Sequence, residues 1–194
     1  MTQAGPQPFL ATTPVTRHNG RMTSTPETPE ILVSTGEEGR DGILELLTDA
    51  GVGLNDSARV LLAGPEFEDS ERQDLIILFR TTADLGLPHG GTLPQVLAAA
   101  VGAGFELCPL TAAPYLRLAL LDQADASDSV LSAGRAPSGA INVASHPPSH
   151  DVEHPKGFYL RVVDGQRWLR GYRCDDEYEF PPEQVWALAL PGTV

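Results

Sequence analysis

The pattern of this chain changes at Phe105–Pro109, and that change limits what it can fold into. Upstream, apolar residues recur mostly at helical spacing; downstream, short apolar runs alternate with turn residues. Helices gathered in one half and strands in the other imply an α+β fold. The expected architecture is N-terminal helices with one or two strands, then a mostly antiparallel five- to six-stranded sheet. Residues 31–194 read as a single α+β domain, with a helical subdomain at 31–109 and a strand-rich subdomain at 110–194.

Local signals fill in this outline. Ile31-Leu32-Val33 is a short strand candidate. Glu37 to Ala50 reads as an amphipathic helix, with Ile43, Leu44, Leu46, Leu47 and Ala50 on one stripe and Gly51 as its stop. Asn55-Asp56-Ser57 offers an N-cap to a second, short helix that ends at Gly64-Pro65. Asp74 to Arg80 is a continuous apolar run of strand length, which predicts a strand buried on both faces. Thr92 as N-cap, Pro94 in the first turn and Gly104 as stop delimit a further helix. The later strand candidates are 115–121, 129–134, 140–144, 157–163, 166–174 and 184–190. Asp164-Gly165 between two of them is a two-residue hairpin signal.

Residues 1–30 are aperiodic and rich in Pro, Thr, Gln and Gly, and read as a disordered tail. Met22 within them offers an alternative start. No apolar run approaches the roughly 20 residues of a membrane span, and the N-terminus lacks a signal-peptide pattern. The expected location is cytoplasmic. Cys108 and Cys174 are too few and too far apart for a disulfide framework or a zinc motif.

The formal net charge is −13. It is concentrated between Ile31 and Ala112, where 13 acids face 4 arginines. A field of that sign repels phosphate backbones, so nucleic acid and membrane are not the expected partners. Lys156 is the single lysine, against 12 arginines, which suits a GC-rich bacterial genome.

One set of residues carries a family likeness. Gly104-Phe105-Glu106-Leu107-Cys108-Pro109, Pro114, Leu116-Arg117-Leu118, Asp122-Gln123, Trp168-Leu169 and Val185-Trp186-Ala187-Leu188 resemble an uncharacterised bacterial protein family. The likeness spans about Ser34 to Leu190. Where that family has an acid two places after Cys-Pro, this chain has Thr111; where it has a Met-Glu-Pro-like turn, this chain has Gly134-Arg135-Ala136-Pro137. The resemblance implies a shared fold unit and brings no activity, ligand or cofactor.

Four constellations invite a chemical reading. His146, His150 and His154, with Asp151 and Glu153, are metal-ligand types at close spacing, but Pro147, Pro148 and Pro155 deny them a common helix face. A solvated loop without metal is expected. Arg161, Arg167, Arg170 and Arg173, interleaved with Tyr159, Trp168 and Tyr172, resemble an anion-binding sheet face, or else pair with Asp164, Asp175, Asp176 and Glu177. Arg117, on a predicted strand between core-facing leucines, should point to solvent or a groove. There it either pairs with Glu106 or Asp122 or binds an acid through its planar fork. Cys108, between Leu107 and Pro109, reads as buried and unreactive.

No nucleophile elbow, phosphate-binding loop or dinucleotide fingerprint occurs in the sequence. The residues therefore do not specify a reaction. They best suit a non-catalytic binding or accessory module acting on a protein or small-molecule partner, with no cofactor. Candidate contact residues are Arg117, Glu106, Asp122, Gln123, Trp168 and Arg170. The alternatives are an enzyme with a cleft around Arg117 and an acidic, antitoxin-like protein that neutralises a basic partner.

Overall fold

The structure is a computed structural model and describes residues 30–36, 38–68, 71–126 and 139–192. The predicted tail up to Pro29, Met22 and the 129–134 strand candidate lie outside the described residues.

Strand β1 (Ile31–Thr35) leads into helix α1 (Arg40–Asp49), which starts three residues later than the sequence suggested. After the short β2 (Gly53–Leu54) comes α2 (Asp56–Leu62). Asn55 caps it: its Oδ1 accepts from Ala58 N at 2.9 Å. The same amide also exchanges two bonds with Gly171, 3.0 Å to the carbonyl and 2.9 Å from the N–H. A Cβ on Gly171 would stand 2.6 Å from the Ser57 carbonyl carbon, so only glycine lets α2 lie this close to its strand. At the other end of α2, Arg40 donates to the carbonyls of Leu62, Ala63 and Gly64, satisfying helix-end acceptors.

The chain continues through β3 (Gln73–Thr81), β4 (Gly91–Thr92), α3 (Leu93–Gly102) and α4 (Ala112–Ala119). It ends with β5 (Ile141–Val143), β6 (Gly157–Val163), β7 (Gln166–Tyr172), β8 (Glu179–Phe180) and β9 (Val185–Ala189). The hairpin between β6 and β7 turns at Asp164 and Gly165, both with positive φ (51° and 73°), as its sequence predicts. The Asp125 carboxylate holds that turn, accepting from both backbone N–H groups at 3.1 and 2.7 Å.

The α+β class stands, but the sheet differs from the expectation. It has seven strands in the order β1-β3-β9-β5-β6-β7-β2, and a separate two-stranded ribbon pairs β4 with β8. It is mixed: β5 runs parallel to β9, and β2 runs parallel to β7. Strands from both sides of the 109/110 boundary share it. Parallel pairing joins segments distant in sequence, which short-range patterning does not register.

Segment 115–121, expected as a strand, is mostly helix α4. Its leucines at 116 and 118 mimic strand alternation. Ala112 and Ala113 supply helix propensity, and Pro114 in the first turn is compatible with a helix start.

Side-chain alternation sends the two faces of the sheet into two apolar clusters. Ala187 and Ala189 of β9, Leu75 and Ile77 of β3, and Phe158 and Leu160 of β6 join one, together with α1, α2 and α4. Trp186, Leu188 and Leu78 join the other, with α3 and Phe180. The β3 run is thus apolar toward both sides, as its composition predicts. Among the described residues, three helices contribute to one cluster and one helix to the other.

Candidate functional site

A pocket lies on the side of α3. It encloses about 620 Å³. Helix α3 supplies Leu93, Pro94, Leu97, Ala98, Val101 and Gly102. The segment between β5 and β6 supplies His146, Pro147, Ser149, His150 and Lys156; Leu107, Cys174 and Asp176 complete the lining. A volume of this size suits a drug-sized ligand, and apolar walls with a few polar groups are typical of ligand sites.

The sequence of α3 explains the wall. Between Leu93 and Gly102 it has one polar side chain, Gln95, and no charge. Gln95 is occupied at the helix start, where its Oε1 accepts from Thr92 N at 2.9 Å. Val96, Leu97 and Ala100 face the core, yet the outer side is apolar too, and Val101 is 56 % exposed. A helix apolar all round is normally buried on all sides. This one is not, and its outer stripe faces the pocket.

The opposite wall is held by short turns. Asp151 N donates to Ser149 Oγ at 3.1 Å, and Glu153 N to Asp151 Oδ1 at 3.0 Å. Lys156 reaches back under the loop, its Nζ donating to Ser149 O at 3.0 Å and Asp151 O at 2.9 Å. Of the histidines singled out in the sequence, His146 and His150 reach the pocket and His154 does not line it. Among the described residues no group of three His, Cys, Asp or Glu side chains is placed to hold a metal ion. Cys174, a half-buried free thiol, is part of the lining; burial is the main cause that pushes its pKa up to about 11, with Lys156 opposing and Asp175 and Asp176 adding to the rise.

Arg117 is elsewhere and is not where the sequence placed it. It lies on α4 and is fully buried. Its guanidinium donates to Gln123 Oε1 at 2.5 Å and to the carbonyl of Leu120. Gln123 in turn donates to Gly139 O at 2.9 Å and Leu160 O at 3.2 Å. The pair thus ties the end of α4 to β6. Burial, with the nearby Arg167 charge, pulls the Arg117 pKa down to about 10. Glu106 and Asp122 are exposed, and among the described residues neither forms an ion pair with Arg117. The backbone of Glu106 bridges to Ala189 instead.

Trp168 and Arg170 form a separate contact on β7, the guanidinium 4.2 Å from the ring centroid. The arginine row is split between faces, since Arg167 alternates with Trp168 and Arg170 and donates to Leu121 O. Arg161 is buried and donates to Ala126 O at 3.3 Å. Cys108 is buried as predicted; its thiol donates to Ala187 O at 3.6 Å, and desolvation pushes its pKa up to about 12. The six sequence candidates therefore fall into one joined pair, Arg117–Gln123, one stacked pair, Trp168–Arg170, and two exposed acids. The α3 wall was missed, although its lack of any charge was a readable signal.

Among the described residues no helix is long and apolar enough to cross a membrane. In comparisons with known proteins, no family model, no curated protein and no solved structure matches this chain.

Proposed function

We propose that this chain is a non-catalytic binding module whose small-molecule ligand sits between α3 and the 146–156 loop. The observation that carries this reading is the apolar pocket of about 620 Å³ against a charge-free helix. Burying a ligand there removes Val101 and Leu107 from water, at about 25 cal/mol per Å² of apolar surface. The competing enzyme reading, with a cleft around Arg117, draws no support from a fully buried side chain. The antitoxin-like reading rests on net charge alone. The unpaired thiols of Cys108 and Cys174 are in keeping with a reducing, cytoplasmic setting.

A neutral, environment-sensitive dye such as N-phenyl-1-naphthylamine tests the pocket. Its fluorescence should rise on binding to the wild-type protein. Ala98→Arg, which projects a long charged chain from an exposed helix position, should abolish that rise without unfolding the protein. Equal dye binding by both proteins would sink the proposal.

A further inference from the structure

We infer that the occupant of this pocket is an anionic amphiphile, one carboxylate on an apolar chain, with the acid seated on Lys156. The inference rests on the pocket being a ligand site and adds what the ligand must carry.

Lys156 is the only lysine of the chain, and it is 4 % exposed. Lysine is almost never buried without a charged partner. Among the described residues, no carboxylate lies within ion-pairing distance of it. Its two acceptors are both backbone carbonyls, of Ser149 and Asp151. The Asp151 carboxylate is turned to the Glu153 N–H instead. An ammonium carries three donors, so one is left over. A buried charge of this kind is costly unless paired, and the same side chain lines an apolar pocket. An acid group entering the pocket would supply both the missing charge and the missing acceptor.

The surroundings narrow the head group. Ser149, His146 and His150 come from the same loop and add hydroxyl and imidazole partners. Asp176 also lines the pocket and opposes an anion, but it is exposed whereas Lys156 is buried. Charge interactions are stronger where water is excluded, so the lysine dominates at contact distance. The net charge of −13 acts from further away and is screened beyond about 8 Å at physiological salt. One free donor and one positive charge match a monocarboxylate. A phosphate dianion would bring charge that Lys156 alone does not cancel. The chain of the ligand would lie along Leu97, Val101 and Leu107.

The test is a competition against bound N-phenyl-1-naphthylamine, using decanoate and decanol below their aggregation limits. Wild-type protein should bind decanoate at least about tenfold more tightly than decanol, a difference near 1.4 kcal/mol. Lys156→Met should erase the preference and keep decanol binding. Equal affinities in the wild type would overturn the inference while leaving the pocket intact. A preference that survives in Lys156→Met would also overturn it, because another group would then hold the acid. If Lys156→Met fails to fold, Lys156→Gln, which keeps a donor for the Ser149 and Asp151 carbonyls but no charge, takes its place in the same competition. Failure of the dye and both competitors to bind would overturn the pocket reading itself, and this inference with it.

Discussion

The two faces of the central sheet are built on different terms. On one, α1, α2 and α4 cover the strands, and two polar side chains tie elements together there: Asn55 onto Gly171, Arg117 through Gln123 onto Leu160. On the other, among the described residues, α3 is the one helix that contributes to the cluster, its outer stripe is apolar, and no carboxylate lies within ion-pairing distance of the buried Lys156. The closed face puts its polar residues to structural use. The half-covered face leaves an apolar volume beside a buried lysine that donates to two backbone carbonyls, which is where a ligand can contribute. A buried charge therefore has opposite meanings on the two sides: Arg117 is a tie, whereas Lys156 is an offer.

This contrast can be broken in several ways, the first being the most severe. Both Arg117→Ala and Arg117→Lys should destabilise the protein, by about 3 kcal/mol, because each removes a fully buried guanidinium and leaves the half-buried acceptors of Leu120 and Gln123 short of a donor. Chemical denaturation measures this, and a loss below about 1 kcal/mol for either would place Arg117 in a tolerant, solvated setting. Asn55→Ala should cost somewhat less, about 2 kcal/mol, by removing both a helix cap and the bridge to Gly171. A near-neutral result would mean that α2 is held by packing alone.

Alkaline pH should act next. Burial raises the pKa of Cys174 from its ordinary 9.0 to about 11, that of Cys108 to about 12, and those of Tyr172 and Tyr178 above their ordinary 10.0. Above about pH 9 the unfolded chain sheds these protons while the folded chain keeps them. By linkage, stability then falls as pH rises. The lowered Arg117 works the other way, but it is one group against four. Denaturation midpoints at pH 8 and pH 10.5 should therefore decrease, and a rise would reverse the sign. For the same reason Cys174 should react slowly with iodoacetamide at pH 8, and Cys108 should react only on unfolding.

On the half-covered face the effects on stability should be small. Val101→Asp at an exposed position should change stability by about 0.5 kcal/mol or less while removing dye binding. A large loss of stability would mean that α3 is sealed against something else. Smallest of all, zinc or a chelator should leave the melting temperature unchanged, since only His146 and His150 of the three loop histidines reach the pocket. A zinc-dependent rise would show that the loop can gather its ligands.

What was legible in the sequence follows the range of the interaction. Thr92, Pro94 and Gly104 marked α3, Asp164-Gly165 marked the β6–β7 hairpin, and the run from Asp74 marked β3; each is a signal within a few residues. Helix α4 was misread because two alternating leucines outweighed two alanines and a first-turn proline, and Arg117 went with it from surface to core. The parallel pairing of β5 with β9 left no local trace. The pocket was half-visible: the histidine loop drew attention for metal chemistry, whereas the informative residue beside it was the lone lysine. What singles out Lys156 is that no acid among the described residues pairs with it, and that is a property of three-dimensional neighbours.

The position of β9 has a kinetic consequence. It lies between β3 and β5, and its residues reach Glu106 as well. Trp186 bonds to Thr82 across 104 positions of chain. The middle of the sheet is thus closed by a segment that must diffuse back to partners made long before it. Loop-closure entropy of that kind is lost before any contact compensates for it, which slows folding. The hairpin of β6 and β7 can form early, but β3 and β5 have no neighbour to share until β9 arrives. Refolding should therefore be slow and end in one late step, and changes in β9 should alter its rate more than changes in α3.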